Sequence, residues 1–220
     1  MRIRSYLLIT VILAAVGGAH ADTIDVDGVS LAIRNLPGYC TSTDQDLLGP
    51  MNRMMTKLKD IAVSAPCGEL QAFRSGTGTL GSYIVWTVGT SDSGTAERLP
   101  GEVTRKTFAA EMATGQSRAS ISNIIADANN KLEQEKMGSL SNPSVGLIEQ
   151  DSEAIYTAVV VDTSIGGVSQ RKAIVMGSAA VQHLPVTIDA YDQFSGPETF
   201  ARLLDEVRSL TQGALADNPD

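Results

Sequence analysis

The chain has 220 residues, is 43% hydrophobic and 19% charged, and carries a formal net charge of -8. That balance excludes a disordered acidic tail, a collagen-like or low-complexity chain, and a scaffold held by disulfides alone. Its length suits one domain with a good core, and its acidic excess argues against a nucleic-acid-binding surface, which needs clustered Lys and Arg.

The N-terminus reads as a processing signal. Arg2 and Arg4 form a charged start, and residues 6–16 (YLLITVILAAV) form an apolar run too short to span a bilayer stably. Gly17-Gly18 ends that run. Ala19-His20-Ala21 then puts small residues at the two positions a signal peptidase reads. The expected organisation is a signal peptide over 1–21 and a single domain over 22–220. No cysteine follows the cleavage site, so a lipoprotein anchor is not indicated, and no later stretch is long and apolar enough to span a membrane. The protein is therefore expected to be exported, either periplasmic or secreted.

Cys40 and Cys67 lie beyond the signal, in an oxidising compartment, and are expected to form a structural disulfide. Their wide spacing does not fit a Cys-x-x-Cys redox pair. With His20 removed, two cysteines and one histidine cannot fill a zinc site unaided.

The mature chain opens with Ile24, Val26, Val29, Leu31 and Ile33 alternating around Asp27-Gly28, which predicts a hairpin rather than a calcium loop. Leu47, Leu48, Met51, Met54, Met55 and Leu58 follow at helical spacing, with Pro50 starting or kinking that helix. The methionines could hold Cu(I), but the same positions face the core. Residues 61–65 predict a short buried strand. Placed parallel to 29–36 across the helix, it would complete a βαβ unit with Cys40 and Cys67 beyond the same strand ends.

Three later runs, 83–88, 154–161 and 173–181, are apolar on both faces and need cover on both. Val186, Ile188 and Ala190 alternate with Thr187, Asp189 and Tyr191, predicting a strand with one wetter face. Cover is expected from a helical region within 101–137, carrying Phe108, Met112, Ile121, Ile124, Ile125, Ala128 and Leu132. A terminal helix adds Pro197 in its first turn and Phe200, Leu203, Leu204, Val207 and Leu210 on one face. The expected fold is one α/β/α sandwich, with a mixed, mainly antiparallel sheet and helices on both faces.

Several motifs invite chemistry and lack its context. Residues 76–81 (GTGTLG) match a dinucleotide fingerprint, but a strand follows where a helix N-terminus is needed. Ser169 and Lys172 match S-x-x-K, yet they enter a strand, where positions three apart face opposite ways. His183 falls in a turn beside Pro185, and Glu149, Asp151 and Glu153 surround another turn, where solvation is their expected role.

With its segments in order, the chain resembles a set of uncharacterised exported bacterial proteins built on the PsbP-like α/β/α sandwich. The residues that carry the resemblance are Leu36-Pro37-Gly38-Tyr39-Cys40, Pro66-Cys67-Gly68-Glu69-Leu70 with Arg74-Ser75-Gly76, Val145-Gly146-Leu147-Ile148 with Asp151, Ala154 and Tyr156, and Asn218-Pro219. It implies a fold and an accessory, protein-binding role, with no catalytic residues to carry over. The expectation is a non-enzymatic exported binding protein of the cell envelope, with no catalytic, cofactor or metal residues and another envelope protein as its partner. The alternatives are a hydrolase or cation-dependent enzyme using Asp/Glu, Ser or His183, and a metal or small-ligand carrier.

Overall fold

The structure, a computed structural model, describes residues 21–54, 57–114, 123, 126, 129–130, 133–134, 138–165 and 168–219. The chain begins with the expected hairpin, β1 (Ala21–Val26) and β2 (Val29–Arg34). Asp27 and Gly28 both take positive φ, 50° and 84°, as a two-residue turn matching the strand twist requires. A seven-stranded sheet follows, formed by β3 (Tyr39–Ser42), β4 (Leu58–Pro66), β5 (Tyr83–Gly89), β6 (Gly138–Gln150), β7 (Ala154–Ile165), β8 (Val168–Val181) and β9 (Leu184–Gln193). Its order is β3-β4-β5-β9-β8-β7-β6. Interleaved with the strands are α1 (Gln45–Met54), α2 (Cys67–Arg74), α3 (Arg105–Met112) and α4 (Pro197–Asp217).

This is an α/β/α sandwich. On one face Ile84, Trp86, Val186, Ile188, Ala190, Val175 and Tyr156 pack with Leu203, Val207, Leu210 and Ala214 of α4. Val26, Leu31 and Ile33 of the hairpin join the same core. On the other face, Val63, Ala65 and Val85 pack with Leu48 of α1 and Leu70 of α2. Gly177 of β8 lets α4 approach closely. A Cβ there would lie 2.4 Å from Thr211 Oγ1 and 2.6 Å from Val207 Cγ1, distances no real side chain tolerates.

The parallel βαβ unit expected from 29–36 and 61–65 does not form. Every strand pairing among the described residues is antiparallel. Two local causes account for this. β3, unforeseen from the sequence, takes the edge beside β4, with Cys40 opposite Ala65. The outer edge of β2 is taken by the Asn218 side chain, which accepts from the Ala32 N–H and donates to the Ala32 carbonyl, both at 2.8 Å. The hairpin therefore packs on the core as a separate two-stranded sheet.

Cys40 and Cys67 are joined as expected, with their Cα atoms 4.8 Å apart. The bond spans neighbouring antiparallel strands, because Cys40 lies within β3 and Cys67 follows β4 directly. Asp44 starts α1, its carboxylate accepting from the Asp46 N–H. Pro50 thus falls within the helix and does not begin it. α3 opens with a capping box between Thr104 and Thr107 and packs against β7 and β8. No helix among the described residues is long and apolar enough to cross a membrane. The predicted signal peptide lies outside the described residues, apart from Ala21, the first residue of β1.

Candidate functional site

Two carboxyl groups lie inside the sheet on the face beneath α1. Asp60 of β4 stands directly opposite Thr87 of β5. Thr87 stands opposite Thr187 of β9, which puts Asp189 on the same face, one step along the diagonal. Thr87 Oγ1 lies 3.1 Å from Asp60 Oδ1 and 3.3 Å from Asp189 Oδ2. Asp60 is 4% exposed and Asp189 8%. Burial in so apolar a setting disfavours the charged forms. It raises the Asp60 carboxyl to about 6, the Thr87 contact opposing it, and the Asp189 carboxyl to about 7, with the Asp60 charge adding to the rise.

The local fold explains how an aspartate comes to face inward here. A register shift between Asp60 and Ala62 turns Asp60 onto the inner face, while Ala62 faces the opposite core. Asn52 of α1 holds the backbone at that shift. Its Nδ2 donates to the Asp60 carbonyl at 3.0 Å, and its Oδ1 accepts from the Asp60 N–H at 2.5 Å. Beyond Val85, Tyr83 and Tyr191 stack with ring centroids 4.6 Å apart. Burial pushes both phenols up, Tyr83 to about 12.

A second feature lies at the opposite edge of the sheet. β6 is the last strand in the order and pairs on one side with β7. A register shift between Leu147 and Glu149 leaves Ile148 without a partner in β7. Leu147 is 37% exposed and Ile148 43%, two adjacent large apolar side chains open to solvent.

The residues singled out in the sequence fall elsewhere. β8 runs without a register break from Val168 to Val181. Ser169 and Lys172 therefore face opposite sides, and about 40 Å of strand separates Ser169 from the turn that carries His183. Lys172 Nζ donates to the Gly81 carbonyl at 3.3 Å, while Glu69 accepts from the Gly81 N–H at 2.9 Å. These two contacts fix the glycine-rich segment as a connection between α2 and β5. Ser169 lines a groove of about 290 Å³ with Asp162 and Arg171, which lie 3.6 Å apart. His183 adopts positive φ in the exposed β8–β9 turn.

Of the acidic cluster, Glu149 pairs with Arg208. Asp151 accepts from the Glu153 and Ala154 N–H groups and from the Tyr156 hydroxyl, which makes it the cap of its turn. Met55 and the side chains of Met51 and Met54 lie outside the described residues, as does much of the predicted helical region after α3.

Sequence reasoning missed the Asp60–Thr87–Asp189 group. The one signal available was Thr87 inside an otherwise apolar run, with Asp189 on the alternating face of 186–191.

No family model and no curated protein matches the sequence. Among solved structures, the chain is similar to the solution structure of cyanobacterial PsbP (CyanoP) from Synechocystis sp. PCC 6803. The TM-score is 0.49 at 10% sequence identity, over 89% of this chain and 94% of that one. The α/β/α architecture described above rests on the strand order and helix placement of this chain itself.

Proposed function

We propose that the protein is an exported accessory protein of the cell envelope, periplasmic or secreted, which binds another envelope protein along the β6 edge. The observation that carries this reading is the adjacent exposure of Leu147 and Ile148 on the end strand of the sheet. The Leu140 N–H near the start of this strand is taken by the Asn129 side chain. The docking stretch is therefore the Leu147–Ile148 end, where an end strand can pair with an extended segment and alternate side-chain contacts add specificity. Natural edges are commonly guarded by charged residues, by proline or by bulges, and here Pro143 and the register shift after Ser141 guard the first half of the strand. From Gly138 to Ile148 this strand carries no charged residue. The Ala19-His20-Ala21 pattern and the Cys40–Cys67 disulfide support the exported setting.

A photo-crosslinking residue placed at Leu147 in the exported protein tests the reading, with Phe73, exposed to the same degree on α2, as the control position. The expected result is a discrete protein adduct from Leu147 that is absent from Phe73 and abolished by Ile148→Lys. Adducts of equal yield from both positions, or an adduct indifferent to Ile148→Lys, would overturn it.

A further inference from the structure

We propose that Asp60, Thr87 and Asp189 form a one-proton switch, in which a carboxylic acid, a hydroxyl and a carboxylate share a line of hydrogen bonds whose last proton controls the seating of α1 on β4. The number of hydrogens available sets the constraint. A threonine hydroxyl has one hydrogen to donate and lone pairs to accept with. Thr87 touches both carboxyls, at 3.1 and 3.3 Å, and can donate to only one. The second contact is a hydrogen bond only when that carboxyl keeps its own proton and donates it to Thr87. With both groups ionised, two buried charges would compete for one donor.

Among the described residues the surroundings supply no other compensation. β4 contributes Asp60. β5 contributes Thr87 and Tyr83, and β9 contributes Asp189 and Tyr191, whose phenols stay protonated. α1 offers the neutral Asn52 amide, which is spent on the Asp60 backbone. α2 packs against β4 with Leu70, while its Glu69 is turned to Gly81. β8 places Met176 opposite Asp189, its Lys172 being held at the Gly81 carbonyl. α3 buries Phe108 and Ala109. Among the described residues no Lys, Arg or His acts on either carboxyl. Asp189 Oδ1 is buried without any hydrogen-bond partner, so this carboxyl has the most to gain from holding the proton.

Loss of that proton to solvent takes the pair from one negative charge to two. The strain falls on Asp60, where the β4–β5 ladder is already broken by the register shift and where Asn52 ties α1 to the backbone. Repulsion at this point is transmitted directly to α1.

The test is a carboxyl carbon NMR titration of the purified exported protein, read together with the Asn52 side-chain amide signals. One of the two carboxyls should hold its proton to about pH 7, and the Asn52 signals should move with the same midpoint. Asp189→Asn, whose amide donates permanently to Thr87, should abolish that step in both probes. Full ionisation of both carboxyls at pH 5 would overturn the proposal. So would Asn52 signals that stay still while the carboxyls titrate, which keeps the test decisive even if the variant fails to fold.

Discussion

Asn218 does the work of a strand from the end of a helix. Its amide accepts from the Ala32 N–H and donates to the Ala32 and Ala214 carbonyls, each at 2.8 Å, and it is almost fully buried. Arg105 reaches the same place from α3, donating to the Leu215 and Asn218 carbonyls and satisfying acceptors that a helix end leaves free. Arg34 and Asp217 add an ion pair beside it, which contributes little by itself because the groups are partly solvated. Replacing Asn218 with Ala removes three hydrogen bonds and strands two backbone groups of β2. The expected cost is about 2–4 kcal/mol. Urea unfolding followed by the fluorescence of Trp86, the only tryptophan and 1% exposed, measures it. A loss below about 0.5 kcal/mol would mean that water replaces the amide and that the hairpin is held by its apolar face alone.

β3 shows how a short strand depends on a covalent tie. Its four residues pair only with β4, at the sheet edge, helped by a bond from the Cys67 N–H to the Gly38 carbonyl and by side-chain contacts of Tyr39 with Ser82 and of Thr41 with Asn35 and Ser64. The disulfide closes a loop with a sequence separation of 27, for which the chain-entropy model gives about 3.5 kcal/mol. In the Cys40→Ser, Cys67→Ser variant, amide exchange should accelerate first and most in β3, while β8, paired on both sides, stays protected. Equal acceleration in β3 and β8 would refute that view. The same strand marks where sequence reading stops. β5, β7 and β8 were legible because burial on both faces leaves an apolar run, β9 because its apolar residues alternate with polar ones, and α4 because one face repeats at helical spacing. Tyr39–Ser42 has only four residues, three of them polar or cross-linked, so no periodicity could announce it. The pairing partner of β2 was misjudged for a different reason: its outer edge is occupied by Asn218, 186 residues away. Asp60 was invisible because one extra residue in β4 reverses which side chains face inward, and a local pattern cannot register such a shift.

The balance of buried and exposed carboxyls sets how stability responds to pH over the whole chain. Asp60 and Asp189 hold protons in the folded state that the unfolded chain releases from about pH 4 upward. Between about pH 4 and pH 7 the folded state therefore binds more protons than the unfolded one, and stability falls as pH rises. Asp27 and Asp217 act in the opposite sense. Asp27 is held below the usual carboxylate range chiefly by the Ala96 N–H, and Asp217 by its bond to Arg34. Their contribution is fully present above about pH 4 and is lost as pH drops through their lowered values. The two effects occupy separate windows, so maximum stability is expected near pH 4–5, on the acid side of the common range. A tenfold displacement of a proton equilibrium corresponds to about 1.4 kcal/mol, so Asp189 alone supports a decline of about 3–4 kcal/mol by pH 7.5. Urea midpoints at constant ionic strength from pH 3 to pH 9 measure the profile. Asp189→Asn should flatten the limb above pH 5 and leave the acid limb unchanged, since Asp27 and Asp217 are untouched. A stability that rises from pH 5 to pH 7 in the unmodified protein would mean that both buried carboxyls are ionised and compensated in the fold, and the account of the sheet interior would fail with it.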